Sequence, residues 1–310
     1  MDNAILTICC LTYNHEKYIR KTLEGFINQK TTYNYKIIIH DDASKDKTKY
    51  IIEEFAEKYP KLIIPIFQQK NQYSQGISIY KTFIEPLIYT KYIAICEGDD
   101  YWNANDKIQL QINYLEKHPE CSLCVHNTVK INEAGDSLNE YMTKLDVGDR
   151  DISTNEIIES CGKSPFHTSS YIYRTELKRM MPSVFYMLPV GDYPLAIYMS
   201  LVGKIHYINK VMSAYRVMSQ GSWSEKNKSN KKFAYDTSCK MIVGLKCLNS
   251  YTKYKYNKEF SKVIRWHEFD NIIYERHYLR ILKEKKYWIL LLKKLIPNKI
   301  KKYIKKVIYK

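Results

Sequence analysis

No run of apolar residues in this 310-residue chain approaches the ~18 that a membrane-spanning helix needs. A secretory leader is not expected either. The early apolar stretch 4–11 is short, follows Asp2 and has no basic lead-in, so it reads as a first strand. Neither G-x-G-x-x-G nor G-x-x-x-x-G-K-S/T occurs, which removes a dinucleotide fingerprint and a P-loop from consideration. The eight cysteines lie mostly inside apolar runs; Cys121-Ser122-Leu123-Cys124 has C-x-x-C spacing with His126 nearby but lacks a second ligand pair for zinc. Alternation along a strand explains that stretch, so reduced core thiols in a cytoplasmic chain are expected.

Positive charge is abundant. Hydrophobic residues at 45% and charged residues at 26% describe an ordinary globular protein, but the formal charge is +16. Residues 283–310 hold eleven lysines against the single acid Glu284, which is +10 and leaves +6 for everything before them. A nucleic-acid footprint would lie on the folded body, so this distribution argues against a nucleic-acid partner and gives the tail a separate meaning.

Strand and helix patterns alternate through the first hundred residues, the signature of βαβ units and a mostly parallel sheet. Strands are expected at 5–11, 35–40, 62–68 and 92–96. Helices are expected after Asn14, after Thr48 and over 79–89 as far as Pro86. Three strand ends carry polar residues: Thr12-Tyr13-Asn14, Asp41-Asp42 and Glu97-Gly98-Asp99-Asp100. In a parallel sheet such ends share the edge where ligands bind. A tyrosine can stack on a base, an aspartate can accept from a base N–H or ribose hydroxyls, and clustered carboxylates suit Mg²⁺ or Mn²⁺ on phosphates. The plainer reading of the last group is an acidic turn capping the next helix. Without a P-loop, phosphate neutralisation would fall to a metal and to side chains. Farther on, a helix is expected over 107–117 and strands at 122–129, 167–174 and 204–208. Asp192 opens a helix to about residue 201, where an N-cap role is the simplest reading. Residues 225–232, all Lys, Asn, Ser and Glu, read as a linker into a helical region.

In their order, Thr12-Tyr13-Asn14, Asp41-Asp42-x-Ser44-x-Asp46-x-Thr48, Glu97-Gly98-Asp99-Asp100-Tyr101-Trp102, Gly191-Asp192-Tyr193-Pro194-Leu195 and Met212-Ser213-x-Tyr215-Arg216 resemble a bacterial family 2 glycosyltransferase of GT-A fold. The resemblance covers about residues 3–225, with 226–310 left as a helical, basic C-terminal region. It implies inverting transfer of a sugar from a nucleotide-sugar donor, commonly a UDP-sugar, to a hydroxyl of a glycan or lipid-linked acceptor, with Mn²⁺ or Mg²⁺. Under it, Tyr13 and one of Asp41 or Asp42 hold the nucleoside, with Thr12, Asn14 and Asn71 on the same donor side. Glu97-x-Asp99 takes the D-x-D positions, Asp99 is the main metal carboxylate with Asp100 second, and Arg216 pairs with the diphosphate. Asp192 becomes the catalytic base. His167, Trp102 and Trp223 are candidates for the acceptor side. One departure concerns Met218, where the family often has a His: a thioether is unsuited to a hard cation. A sugar nucleotidyltransferase would want a Gly-rich basic loop near residue 12, and a non-catalytic sugar-nucleotide-binding scaffold remains as the alternative that Met218 suggests.

In the tail, Ile300, Ile304, Val307 and Ile308 make a helical stripe among lysines, preceded by a similar stripe of Trp288, Ile289, Leu292, Leu295 and Ile296 that ends at Pro297. Such basic amphipathic helices lie on anionic membrane surfaces. A peripheral position on the inner face of the cell membrane is therefore expected, with 283–310 as the contact.

Overall fold

A computed structural model describes residues 3–161, 164–219 and 221–295. Strand β1 (Leu6–Thr12) is buried along nearly its whole length because it is flanked on both sides. On one side lie β2 (Tyr35–Asp41) and then β3 (Ile63–Phe67); on the other lies β4 (Tyr92–Ile95). All four run parallel, with Leu6 aligned to both Tyr35 and Tyr92, so their C-terminal ends share one edge.

The sheet continues from β4 into β9 (Ile172–Arg174), β6 (Cys121–Ile131), β10 (Lys204–Arg216) and the short β5 (Tyr101–Trp102). Strand β7 (Ser137–Tyr141) pairs with β6, and β8 (Arg150–Ile152) with β10. Here antiparallel pairing enters, because β9 runs against both β4 and β6. The sheet is thus parallel in its first half, as expected, and mixed as a whole.

Helices α1 (Ile19–Ile27), α2 (Thr48–Lys58) and α3 (Lys107–Lys117) bury one face each, for example Ile19, Thr22, Leu23 and Phe26 of α1 at helical spacing. These side chains join Leu6, Ile8, Ile37, Ile39, Tyr92 and Ala94 in the main core. Helix α4 (Thr154–Glu159) starts with a capping box between Ser153 and Glu156. Short α5 (Thr175–Arg179) follows β9, and α6 (Asp192–Val202) precedes β10. All eight cysteines are free, with Cys121 and Cys124 buried in β6.

Three expectations need correction. Over 79–89 there is no ordinary helix but a π-helical turn (Tyr80–Ile84) followed by a 3₁₀ turn (Glu85–Leu87), since Pro86 arrives too early for α-helical bonding. The strand expected to end at 208 continues to Arg216 after irregularities between Ile208 and Ser213. Residues 225–232 are helical: α7 (Trp223–Ser229) leads to α8 (Lys231–Tyr251), whose first turn is capped by the Asn230 side chain accepting from Phe233 N–H.

Residues 3–181 with 192–224 form one compact unit, and 182–191 with 225–295 another. In the second, α8 and α9 (Asn257–Tyr274) pack together, with Tyr235 stacked on Tyr274. Gly244 of α8 lies so close to Leu188 that a Cβ would meet it at 2.7 Å. Helices α10 (Tyr278–Lys283) and α11 (Trp288–Leu295) complete it around Phe269, Ile272, Ile281 and Tyr287. No helix among the described residues is long and apolar enough to cross a membrane. The stripe expected over 300–308 lies outside the described residues, as do Ile296 and Pro297.

Candidate active site

The three polar strand ends meet as the parallel register requires. Asp42 N–H donates to the carbonyl of Thr12 (3.0 Å) and Gly98 N–H to that of Leu11 (2.9 Å), so the end of β1 ties its neighbours' loops together. Gly98 has no room for a side chain: a Cβ would lie 2.8 Å from Thr12 Cβ and from His15 Nδ1. Thr12 is buried against it, whereas Tyr13 is 40% exposed and presents its ring.

The Asp41–Thr48 segment is a clamp. Ser44 donates its hydroxyl and its N–H to Asp41. Asn14, with φ of 56°, donates its N–H to Ser44 Oγ and accepts from Lys45 N–H. Asp46 accepts from Glu16 and Thr48 N–H, and Thr48 Oγ1 accepts from His15 N–H. Burial would raise Asp46, but these bonds outweigh it and hold the carboxyl below its usual range. At Asp41 the balance tips the other way, and burial keeps the carboxyl raised against the Ser44 bonds. Asp42 accepts from Gln72 N–H (2.8 Å) and Tyr73 N–H (3.0 Å). Asn71 donates to the Asp42 carbonyl and accepts from Ser74 N–H, so its amide holds the same turn.

The cluster beyond β4 is of another kind. Ligand oxygens of Glu97, Asp99 and Asp100 all lie within 4.8 Å of one another. Asp100 is 1% exposed; its Oδ1 accepts from Arg216 N–H at 2.8 Å, while Oδ2 has no hydrogen-bond partner. Burial, then Asp99 and Glu97, push its carboxyl well above the usual range against the pull of Arg216. Glu97 is pushed up to about 8 by lost hydration, by Asp99 and by Asp192. A buried, unpaired carboxylate oxygen beside two like charges is the arrangement a hard cation would relieve, so these residues fit Mg²⁺ or Mn²⁺.

Asp192, the first residue of α6, is close enough to Glu97 to raise it. Its own carboxyl is raised by burial, against main-chain N–H groups at the helix start. Both Glu97 and Asp192 are exposed to water, yet lost hydration still raises both carboxyls.

Other sequence candidates land differently. Arg216 directs Nε to the Asp99 carbonyl (3.0 Å) and Nη1 to the carbonyls of Asn132 and Glu133, with its guanidinium over the Tyr18 ring. It braces the acidic loop against the β6–β7 turn. His167 stacks on Tyr215 with Nδ1 3.4 Å from Asp100 Oδ2, and burial pushes it down to about 4, so it supports the acidic cluster as a neutral ring. Trp102, expected on the acceptor side, belongs to the core. It is 3% exposed, packs edge-on to Phe26, donates to the Ser169 carbonyl and carries the buried Lys107 ammonium group over its face. Its place in β5 turns it inward. Trp223 opens α7 and is 39% exposed.

Two residues escaped the sequence reading. Ser219, buried beyond the left-handed Met218, donates its hydroxyl to Asp99 Oδ2 at 2.7 Å. His15 presents a buried, unpartnered Nδ1 beside Gly98.

Comparison with known proteins identifies the family. An uncharacterized protein of Mycobacterium tuberculosis is 33% identical over 234 residues, covering 74% of this chain and 63% of the relative. The Escherichia coli UDP-Glc:alpha-D-GlcNAc-diphosphoundecaprenol beta-1,3-glucosyltransferase WfgD is 27% identical over 162 residues, covering 52% of this chain and 58% of the relative. The chain thus spans about three-fifths of the length of these curated relatives. Among solved structures, S. aureus TarS 1-349 in complex with UDP-GlcNAc superposes with a TM-score of 0.62 at 16% identity, covering 91% of this chain and 78% of TarS, a likeness of fold. The model described as Glycosyl transferase family 2 matches residues 7–173, more than half of the chain, and the chain belongs to that family.

Proposed function

We propose that this chain is an inverting, metal-dependent glycosyltransferase. It moves a hexosyl or N-acetylhexosaminyl group from a nucleotide-sugar donor, a UDP-sugar, to a hydroxyl of a glycan or lipid-linked acceptor in surface-polysaccharide assembly. The observation that carries this reading is a pair of separately mounted acidic groups close enough to interact, Glu97-Asp99-Asp100 after β4 and Asp192 at the start of α6. Inversion needs a base on the face of the sugar opposite the leaving diphosphate, and two independent acidic groups meet that need. Asp192 takes the proton of the attacking hydroxyl, a raised carboxyl being the better base for it. Asp99 and Asp100, with Glu97 beside them, would hold Mn²⁺ or Mg²⁺, which neutralises charge developing on the leaving diphosphate.

On the donor side Tyr13 stacks on the base, and the Asp41–Asp42 edge, with Thr12, Asn14 and Asn71, shapes the nucleoside pocket. Arg216 holds the metal loop in place. His167 acts behind Asp100, and Trp223 remains an acceptor-side residue. The transferase domain is assigned to 1–225, with 226–310 as a helical, basic appendage. The names of WfgD and of the TarS complex support a UDP-sugar donor, and that of WfgD a lipid-diphosphate acceptor. Placement at the inner face of the cell membrane, through the charge of 283–310, suits such an acceptor.

The test is Mn²⁺-dependent release of UDP from a panel of UDP-sugars, together with thermal shifts by the same donors. Asp192→Asn should lower transfer by about 10²–10⁴-fold while the donor-induced thermal shift persists. No turnover and no thermal shift with any nucleotide sugar would defeat the proposal.

A further inference from the structure

Helix α11 is apolar on more sides than its own unit can cover. Leu290 and Leu291 pack against Phe269, Ile272, Ile281 and Tyr287, which accounts for the inner face. Yet Trp288, Ile289, Leu292 and Leu295 stand 46%, 66%, 59% and 69% exposed. Helix α10 repeats the pattern, with Ile281 buried while Leu279 and Leu282 are 71% and 59% exposed. Single exposed apolar residues are commonplace. Six large ones on two successive short helices are a surface awaiting something.

Charge says what that something is. Residues 225–310 contain 24 Lys and Arg against 7 Asp and Glu, a net +17, whereas residues 1–224 contain 25 against 26. The entire positive excess of the protein therefore belongs to the stretch that contains these two helices. In sequence Lys283, Lys285 and Lys286 fall between the two sets of exposed apolar side chains, Lys286 being paired with Glu268 and Glu284. A protein interface depletes lysine at its apolar centre, so a second copy of this chain would meet its own positive charge here. A nucleic acid would answer the lysines but not the leucines. An anionic bilayer answers both: apolar side chains enter the boundary of the acyl chains while ammonium groups stay with the phosphates.

We propose that α10 and α11 form a shallow membrane-insertion surface for anionic lipid, with Leu279, Leu282, Trp288, Ile289, Leu292 and Leu295 entering the interface. This deepens the peripheral placement given above and rests on it, but it assigns the contact to apolar insertion upstream of most of the tail lysines. Such binding resists salt, whereas binding through the lysines alone is screened away.

The experiment uses the full chain with vesicles of phosphatidylcholine, with and without phosphatidylglycerol, at low and raised salt. Expected are binding to the anionic vesicles that partly survives raised salt, and quenching of Trp288 emission by bromine-labelled acyl chains, read against Trp288→Phe. The charge-neutral variant Leu282→Gln/Ile289→Gln should bind about tenfold more weakly, with unchanged melting temperature and unchanged donor turnover. Full binding by that variant, or unquenched Trp288 in bound protein, would overturn insertion while leaving the lysine-based placement standing. Failure of the unaltered chain to bind anionic vesicles at all would overturn both. A lipid-independent blue shift of Trp288 with self-association would reassign the surface to a second copy.

Discussion

Asp41 and Asp42 close β2; Glu97, Asp99 and Asp100 follow β4, two strands away along the same sheet. In sequence the two groups look alike, acids at the end of a buried apolar strand. In the structure Asp42 has both carboxylate oxygens engaged by main-chain N–H groups, and Asp41 and Asp46 are likewise hydrogen-bonded within their own clamp. The second group keeps an unpartnered oxygen on Asp100, and burial with like-charge repulsion raises the carboxyls of Glu97 and Asp100. Acids whose acceptors are filled by the chain build a loop. Acids left short of partners are there for something the chain does not contain.

The largest effect expected from that difference lies in the clamp. Asp42→Ala removes two charge-assisted hydrogen bonds from a residue only 3% exposed, at about 1.5–3 kcal/mol each before water replaces part of the loss. The melting temperature should fall by several degrees, and donor affinity with it as the 71–75 turn loosens. Affinity for Mn²⁺ should hold. A variant that melts like the parent would mean that the Asp42 bonds are not structural and that the two groups are less different than they look.

How much of this contrast was legible in the sequence depends on whether a role is local. Alternation of apolar runs and helical stripes is local, so β1–β4 and α1–α3 were readable, as were acids at their ends. The continuation of β10 was not: Asn209-Lys210 interrupts its apolar pattern, and only pairing with β6 carries the strand through. The lysine-rich 225–232 stretch read as a linker by composition, yet Lys is a good helix former and Asn230 a good cap. At the site, the Glu97–Asp100 cluster stood out by chemistry and spacing, whereas Asp192 read as a helix cap and became a candidate base only through the family resemblance. Arg216 was readable as a cation but not as one aimed at carbonyls, and Trp102 sits beside the acidic motif in sequence while facing the core in space. Ser219 was invisible because its role depends on the chain returning across 120 residues to Asp99.

That return supplies the second prediction. Ser219 Oγ donates to Asp99 Oδ2, and a partner that orients a metal-binding carboxylate is typically worth about 10–100-fold in metal affinity. Ser219→Ala should shift the Mn²⁺ concentration giving half-maximal thermal stabilisation upward by about tenfold, near the lower end of that range, with little change in melting temperature without metal. Ser219→Thr should recover part of the loss. An unchanged Mn²⁺ midpoint would place Asp99 outside the metal site or show that it needs no orienting.

The smallest effect is also the one whose sign separates the two acidic groups. Asp100→Asn keeps an acceptor for Arg216 N–H and removes a charge that burial, Asp99 and Glu97 all oppose. A carboxyl raised in the folded state costs stability while ionised, at about 1.4 kcal/mol per unit of displacement, and the cost disappears as pH falls through the folded value. The neutral amide removes that cost at neutral pH. Without metal, Asp100→Asn should therefore melt slightly higher than the parent, the reverse of Asp42→Ala. With Mn²⁺ the order should invert, because the parent gains stability from the ion and the variant has lost a ligand. Melting curves of the two proteins in chelator and in Mn²⁺ decide it. A lower melting temperature for the variant in chelator would mean that the fold supports the Asp100 charge by itself, and the distinction between a filled and an unfilled carboxylate cluster would fail at its most buried member.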